Sequence, residues 1–205
     1  EALLRWESAE LGKVSPSEFI PVAEESGLID ELGWIVLETV IADAQKIKQW
    51  QADFRLAVNV SVRQFRQADF IHRLLGRLAA FDVSPSLIEL EVTESIMAES
   101  IPQLALLREA GLRLAIDDFG TGFSSLSYLK RLPVTTLKLD REFIRDLETD
   151  PADRTLITAM VAMARELELE TIAEGVETQG QLDMLRNQGC SQIQGFLLGK
   201  PMPLD

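Results

Sequence analysis

The sequence of 205 residues is poor in cysteine and histidine, and each scarcity excludes a class of site. Cys190 is the only cysteine, so an internal disulfide is excluded and a reducing compartment is favoured. His72 is the only histidine, and we interpret it as a surface residue of a helix. Without it, neither a histidine-based zinc site nor a Ser-His-Asp triad can be built. Any metal should therefore have oxygen ligands, which favours Mg²⁺ or Mn²⁺ over zinc.

Long apolar runs and a surplus of basic residues are lacking as well. The longest apolar stretches are too short for a membrane span, and no signal-peptide pattern opens the chain. The net charge is −13 and the pI is near 4.6. This charge argues against a nucleic-acid polymer as partner, because polymer binding rests on clustered Lys and Arg. A small phosphate substrate stays compatible, since metals held by carboxylates can recruit it.

Strand-like and helix-like segments alternate along the chain. The strand candidates are residues 2–6, 56–62, 87–93, 112–117, 136–139, 171–176 and 191–196. The helix candidates are one that begins at Ser15-Pro16 and residues 28–50, 68–81, 101–110, 152–167 and 179–188. Several strand candidates are apolar runs, which is typical of a parallel sheet covered on both faces.

This alternation predicts an α/β fold and a single domain over residues 1–205. The count of seven strands is one short of a (β/α)₈ barrel, and the chain is shorter than the ~250 residues typical of that fold. An open doubly wound sheet is the alternative. A TIM-like (β/α)₈ barrel that lacks its N-terminal strand would explain the deficit, because the chain opens inside a strand candidate.

Two adjacent acids, Asp117 and Asp118, follow the apolar segment 112–116 and lead into the loop Phe119-Gly120-Thr121-Gly122. Like charges repel each other, and the closest basic residue on the C-terminal side is Lys130. A pair of divalent cations would offset the repulsion. Two solvated acids beside a turn are an equally well supported alternative.

Polar residues recur where the strand candidates end. They are Asn59, Glu91, Glu94, Asp117, Asp118, Lys138, Asp140, Glu174, Glu177 and Gln194. In a barrel these ends converge on the face that carries active sites. Taken singly, Asn59 could make an interior hydrogen bond, Lys138 could reach the rim and Glu174 could cap a helix. Glu89 cannot be separated from Glu91 by spacing alone.

Together, one acid or amide at successive strand ends predicts two-metal hydrolysis of a phosphodiester. Asp117 could bridge the two ions. Lys138 could hold the nucleophilic water and offset charge that develops on the phosphate in the transition state.

These motifs resemble, in order, the signatures of the EAL domain family. They are Glu1-Ala2-Leu3-Leu4-Arg5, Asn59-Val60-Ser61, Glu91-Val92-Thr93-Glu94, Asp117-Asp118-Phe119-Gly120-Thr121-Gly122, Lys138-Leu139-Asp140, Glu174-Gly175-Val176-Glu177 and Gln194-Gly195-Phe196. The resemblance implies a TIM-like barrel that hydrolyses cyclic di-GMP, a bacterial second messenger, to linear 5′-pGpG. It also implies two divalent ions, Mg²⁺ or Mn²⁺.

The resemblance assigns roles residue by residue. Metal ligands would be Glu1, Asn59, Glu91, Asp117, Asp118 and Glu174. Lys138 would act on the catalytic water, with Glu174 and Glu1 as further catalytic residues. The substrate would meet Leu3, Arg5, Asp140 and Gln194. Glu94 and the residues Phe119, Gly120, Thr121 and Gly122 would couple the metal site to a dimer interface.

The resemblance further implies a homodimer fused to sensory domains, located in the bacterial cytoplasm or anchored to a membrane through another segment. Family members usually have one further strand and most of a second before the signature, so we expect the chain to be a fragment. Two other hypotheses are a catalytically silent cyclic di-GMP receptor and an enolase-like lyase. Turnover of cyclic di-GMP separates the phosphodiesterase from the other two, neither of which predicts it.

Overall fold

The computed structural model describes residues 1–49, 54–93, 96, 100–119 and 129–204, and for Asp118 it describes the backbone alone. These residues divide into two compact units. The first unit comprises Glu1–Val92 and Glu109–Arg113, and the second comprises Thr93–Arg108 and Leu114–Asp205.

The first unit opens with a short antiparallel hairpin and continues with a parallel strand pair and helices. Its strands are β1 (Trp6–Ser8), β2 (Gly12–Val14), β3 (Leu56–Asn59) and β4 (Ile88–Val92). Its helices are α1 (Pro16–Ser26), α2 (Ile29–Ile47), α3 (Val62–Phe65) and α4 (Phe70–Ala80), and a 3₁₀ turn (Pro85–Leu87) precedes β4. β3 and β4 pair in register from Leu56–Ile88 to Asn59–Glu91.

The helices of the first unit follow from local sequence signals. Glu18 Oε2 accepts a hydrogen bond from the Ser15 N–H at 3.2 Å, which confirms the predicted start of α1. α2 buries Trp34, Leu37, Val40, Ile41 and Ala44, which recur at helical spacing along one face. The Trp34 ring packs on Phe70 of α4 with centroids 5.5 Å apart. This packing fixes the helical layer of the unit.

The second unit contains a parallel sheet with intervening helices. Its strands are β5 (Arg113–Phe119), β6 (Thr136–Leu139), β7 (Glu170–Ala173) and β8 (Gln192–Ile193). Its helices are α5 (Ile101–Glu109), α6 (Arg141–Arg145), α7 (Pro151–Glu166) and α8 (Gln179–Gln188). One terminal residue each of α5 and β5 falls in the first unit. The four strands pair in parallel in chain order.

The observed elements differ from the predicted ones mainly at their ends. The hairpin β1–β2 was not predicted, and the predicted strand 2–6 is represented by Ala2, which bridges to Val58, and by the start of β1. The predicted strand 56–62 ends early, because Ser61 accepts a hydrogen bond from the Gln64 N–H and begins α3. Among the described residues, no helix is long and apolar enough to cross a membrane.

Candidate active site

In the first unit, three of the predicted metal ligands lie side by side. Asn59, the last residue of β3, is the register partner of Glu91 on β4. Ala2 pairs with β3 through its N–H, which donates to the Ala57 carbonyl at 2.8 Å. That pairing brings Glu1 to Asn59, whose Nδ2 donates to Glu1 Oε1 at 2.9 Å. The hydrogen bond uses the amide nitrogen, so the amide oxygen of Asn59 is the atom that can ligate a metal.

Glu89 and Glu91 are both buried on β4, at 3% and 2% exposure. Arg113 Nε lies 3.8 Å from Glu89 Oε1, so Glu89 has a fixed cation beside it. Glu91 is the register partner of Asn59 at the end of the strand pair. This position beside another predicted ligand favours Glu91 over Glu89 as a ligand, which spacing alone could not do.

In the second unit, Lys138 is buried at 2% exposure on β6, between two acids. Its Nζ lies 3.1 Å from Asp117 Oδ1 and 2.6 Å from Glu174 Oε1. Asp117 belongs to β5, and Glu174 follows β7, so the two acids come from the strands on either side of β6. A buried ammonium is tolerated because carboxylates compensate its charge. The alternative in which Lys138 reaches the rim is thereby excluded.

The pairing of β5 with β6 is irregular at the two adjacent acids. Ile116 is the partner of Leu137 and Phe119 is the partner of Leu139, so the register shifts between them. Asp117 and Asp118 therefore share the position opposite the single residue Lys138. Such a β-bulge is common beside active sites, because it changes the direction of side chains locally. The predicted strand end at Asp117 was wrong, since β5 continues to Phe119.

The residues predicted to bind the substrate differ in their exposure and in their hydrogen bonds. Leu3 and Arg5 are exposed in the first unit, and Arg5 Nη1 donates to the Leu4 carbonyl at 2.9 Å. Asp140 begins α6, where its Oδ1 accepts a hydrogen bond from the Glu142 N–H at 2.6 Å. The backbone of Gln194 pairs with Ala173 through its N–H and with Val176 through its carbonyl. Their contacts with a nucleotide stay predictions.

The predicted coupling loop is described only in part. Phe119 is the last residue of β5 and is buried at 7% exposure. Glu94, Gly120, Thr121 and Gly122 lie outside the described residues. Their role stays a prediction.

The side chains named above fit a divalent metal by the chemistry of their donor atoms. In the first unit, Glu1 and Glu91 offer carboxylate oxygens and Asn59 offers an amide oxygen, and in the second unit Asp117 and Glu174 offer carboxylate oxygens. Oxygen donors of these kinds are the ligands that Mg²⁺ and Mn²⁺ prefer. Within the described part of the chain, no three His, Cys, Asp or Glu side chains form a cluster that could hold an ion by themselves.

Comparison with known proteins gives a consistent result. The family model for the EAL domain matches residues 1–201. The bifunctional diguanylate cyclase/cyclic di-GMP phosphodiesterase MucR of Pseudomonas aeruginosa is 43% identical over 213 residues, covering 100% of this chain and 31% of that protein. The cyclic di-GMP phosphodiesterase PdeR of Escherichia coli is 41% identical over 212 residues, covering 99% of this chain and 31% of that protein.

Solved structures agree with the sequence comparison. The phosphodiesterase PaMucR in complex with cyclic di-GMP superposes with a TM-score of 0.93 at 43% identity, covering 98% of this chain and 83% of that chain. This likeness confirms the predicted α/β, TIM-like fold class. The chain spans less than a third of the length of the curated relatives named above, which are longer signalling proteins.

Proposed function

The chain belongs to the EAL domain family, and from this premise we propose that it hydrolyses cyclic di-GMP to linear 5′-pGpG as a metal-dependent phosphodiesterase. The observation that carries the proposal is Lys138, a buried cation held by Asp117 and Glu174. The names of the relatives support the substrate. A structural core needs no buried ammonium at strand ends, whereas phosphodiester hydrolysis uses a cation beside carboxylates.

We propose that Glu1, Asn59, Glu91, Asp117, Asp118 and Glu174 hold two Mg²⁺ or Mn²⁺ ions. Bound ions of this kind supply a water of lowered pKa and a clamp for the phosphate oxygens. Asp117 is the candidate for the ligand shared by both ions. Its position in the β5 bulge supports this role, because the bulge leaves two acids opposite one lysine.

Lys138 and Glu174 divide the remaining chemistry. The ammonium of Lys138 orients the attacking water and offsets the negative charge that grows on the phosphate oxygens. Glu174, whose Oε1 lies 2.6 Å from Lys138 Nζ, accepts a proton of that water. The water oxygen bonds to phosphorus, the bond from phosphorus to the ribose 3′-oxygen breaks, and the 3′-oxygen leaves as a hydroxyl after it takes a proton from solvent, to which Glu174 later releases its own. Glu1 serves as a ligand that also keeps Asn59 in place.

Recognition of the nucleotide falls to Leu3, Arg5, Asp140 and Gln194. The exposed guanidinium of Arg5 suits a phosphate, because its planar donors match the phosphate oxygens. Asp140 uses Oδ1 to cap α6, so its contact with the nucleotide falls to Oδ2.

The remaining features of the proposal concern assembly and location. We propose that the chain forms a homodimer, with Glu94 and the Phe119–Gly122 segment coupling the metal site to the interface. We also propose fusion to sensory or other signalling domains, which the greater length of the relatives supports. The cytoplasm is the proposed location, and the single cysteine supports it.

The test is incubation of the chain with cyclic di-GMP and Mg²⁺, followed by chromatographic separation of the nucleotides. Cyclic di-AMP in a parallel reaction is the control for base specificity. The proposal predicts 5′-pGpG from cyclic di-GMP and no linear product from cyclic di-AMP. Binding of cyclic di-GMP without product would favour the silent receptor, and absence of both would reject the family substrate for this chain.

A further inference from the structure

Gln181 is a buried polar residue to which the proposed chemistry gives no role. It lies in the first turn of α8 and is 4% exposed. Its Oε1 accepts hydrogen bonds from the N–H groups of Glu177 at 2.8 Å and Thr178 at 3.1 Å. Its Nε2 donates to the carbonyls of Ile144 at 3.0 Å and Arg145 at 3.3 Å. One amide thus uses both lone pairs and both N–H groups.

These four bonds connect two segments that carry proposed catalytic residues. The N–H groups belong to the end of the β7–α8 loop, residues 174–178, which starts with Glu174. The carbonyls belong to α6, which follows β6 and therefore Lys138. A rotation of the side-chain amide by half a turn would swap its oxygen and nitrogen and break all four hydrogen bonds, so the amide has one orientation.

Capping of α8 alone does not require this arrangement. A capping box needs the Gln181 side chain to accept a hydrogen bond from the backbone at the start of its own helix. In return, the Thr178 hydroxyl accepts a hydrogen bond from the Gln181 backbone N–H at 3.1 Å. The donation to Ile144 and Arg145 is additional and reaches back 36 or 37 residues along the chain. It ties the loop to α6.

Two glycines show independently that the β7–α8 loop is packed closely on both sides. Gly175 has φ of +68°, and a Cβ there would lie 2.6 Å from the Cβ of Arg141 in α6. A Cβ on Gly195, in the turn after β8, would lie 2.2 Å from the Val176 carbonyl oxygen. The loop therefore has little room to move once Gln181 holds its end.

We propose that Gln181 is a positioning residue, which holds the β7–α8 loop on α6 and thereby sets the place of Glu174 beside Lys138. The inference rests on the proposed phosphodiester hydrolysis for its kinetic consequence. Gln181 touches neither Glu174 nor Lys138 through its four bonds, so its effect is indirect. A displacement of about 1 Å of a catalytic group can cost ~100-fold in rate.

Three variants separate this role from helix capping. Gln181→Met keeps the length of the side chain and removes all four bonds. Gln181→Glu keeps two acceptor oxygens for the loop but cannot donate to α6. Gln188→Met is the matched control, because Gln188 lies on the same helix and donates to Arg154 and Thr158 of α7 instead.

The measurements are kcat and KM for cyclic di-GMP, the Kd of the nucleotide, the fraction folded by circular dichroism, and amide hydrogen exchange of residues 174–178. We expect kcat to fall about 10- to 100-fold in both Gln181 variants, while Kd stays within about threefold of wild type. The rate of amide hydrogen exchange at residues 174–178 should rise in both Gln181 variants. Gln188→Met should match wild type in every measurement.

Three results would overturn the proposal. The first is wild-type turnover in Gln181→Glu, which would mean that the bonds to α6 are not needed and that Gln181 serves only as a helix cap. The second is an equal loss of turnover, nucleotide binding and folded fraction in Gln181→Met, which would mean a general structural role. The third is unchanged exchange at 174–178. If the wild-type chain itself has no turnover, the proposed function fails, and the exchange data on Gln181→Met and Gln188→Met still decide whether Gln181 holds the loop.

Discussion

At the scale of the residue, Lys138 is the side chain with the most unusual surroundings. An ammonium at 2% exposure loses its hydration, which costs several kcal/mol unless carboxylates compensate it. Asp117 and Glu174 do so while remaining 18% and 20% exposed. The cation is therefore fixed inside, and the carboxylates keep access to solvent or to a ligand.

Replacement of this lysine gives the first prediction. Lys138→Met should lower kcat for cyclic di-GMP by at least about 100-fold, because the water loses its orienting cation, while nucleotide binding persists. Lys46→Met is the control, since Lys46 is 64% exposed and pairs with Asp43 at the surface. Turnover measured by chromatography and Kd by calorimetry check the prediction. A kcat for Lys138→Met within threefold of the control would contradict it.

At the scale of the element, the carboxyl ends of the strands carry the side chains of the proposed chemistry. The β5 bulge places Asp117 and Asp118 opposite one residue of β6, and the β7–α8 loop turns sharply at Gly175. Both features depend on backbone conformations that differ from the regular strand. At Gly175 the Arg141 side chain lies where a Cβ would be, so only glycine fits there without a shift of its neighbours.

Two glycine substitutions give the second prediction. Gly175→Ala should destabilise the fold by at least about 1–2 kcal/mol, because its φ is +68° and the new Cβ would meet Arg141. Gly76→Ala, in the middle of α4 with open space around it, should stabilise the fold by about 1 kcal/mol. Thermal unfolding should show the midpoint falling for the first variant and rising roughly 2–4 °C for the second. Equal shifts of the same sign would refute the account of Gly175.

The elements also show what the sequence could predict. The start of α1 at Ser15-Pro16 and the bounds of α8, residues 179–188, depend on signals within a few residues, and both were predicted correctly. The β5 bulge could not be predicted, because it depends on register with β6, whose residues come about twenty positions later. The four bonds of Gln181 were missed for the same reason, since Thr178 and Gln181 indicate a capping box but give no sign of α6.

At the scale of the whole molecule, the net charge of −13 opposes the binding of any anion. A dianionic nucleotide therefore needs cations at its site, and the single charge of Lys138 is outnumbered by its two carboxylate neighbours, Asp117 and Glu174. Divalent ions would reverse this local balance. The account thus predicts that metal affects stability as well as activity.

Metal binding to the folded chain gives the third prediction. At constant ionic strength, Mg²⁺ at 100 times the Kd of one site should add about 2.7 kcal/mol per occupied site to the free energy of unfolding, because it binds only the folded state. Asp117→Asn should remove most of that gain. Asp43→Asn is the control and should keep it, since Asp43 lies on α2, where it pairs with Lys46. Equal gains in both variants would show that the metal binds elsewhere.

The most direct test of the central claim is turnover of cyclic di-GMP by the wild-type chain before and after removal of metal. The reaction is run with Mg²⁺, stopped by excess EDTA, and restarted by excess Mg²⁺, with 5′-pGpG measured at each stage. The account predicts product, then none, then product again. Hydrolysis that continues in EDTA, or bound nucleotide that is never cleaved with Mg²⁺ present, would contradict the account.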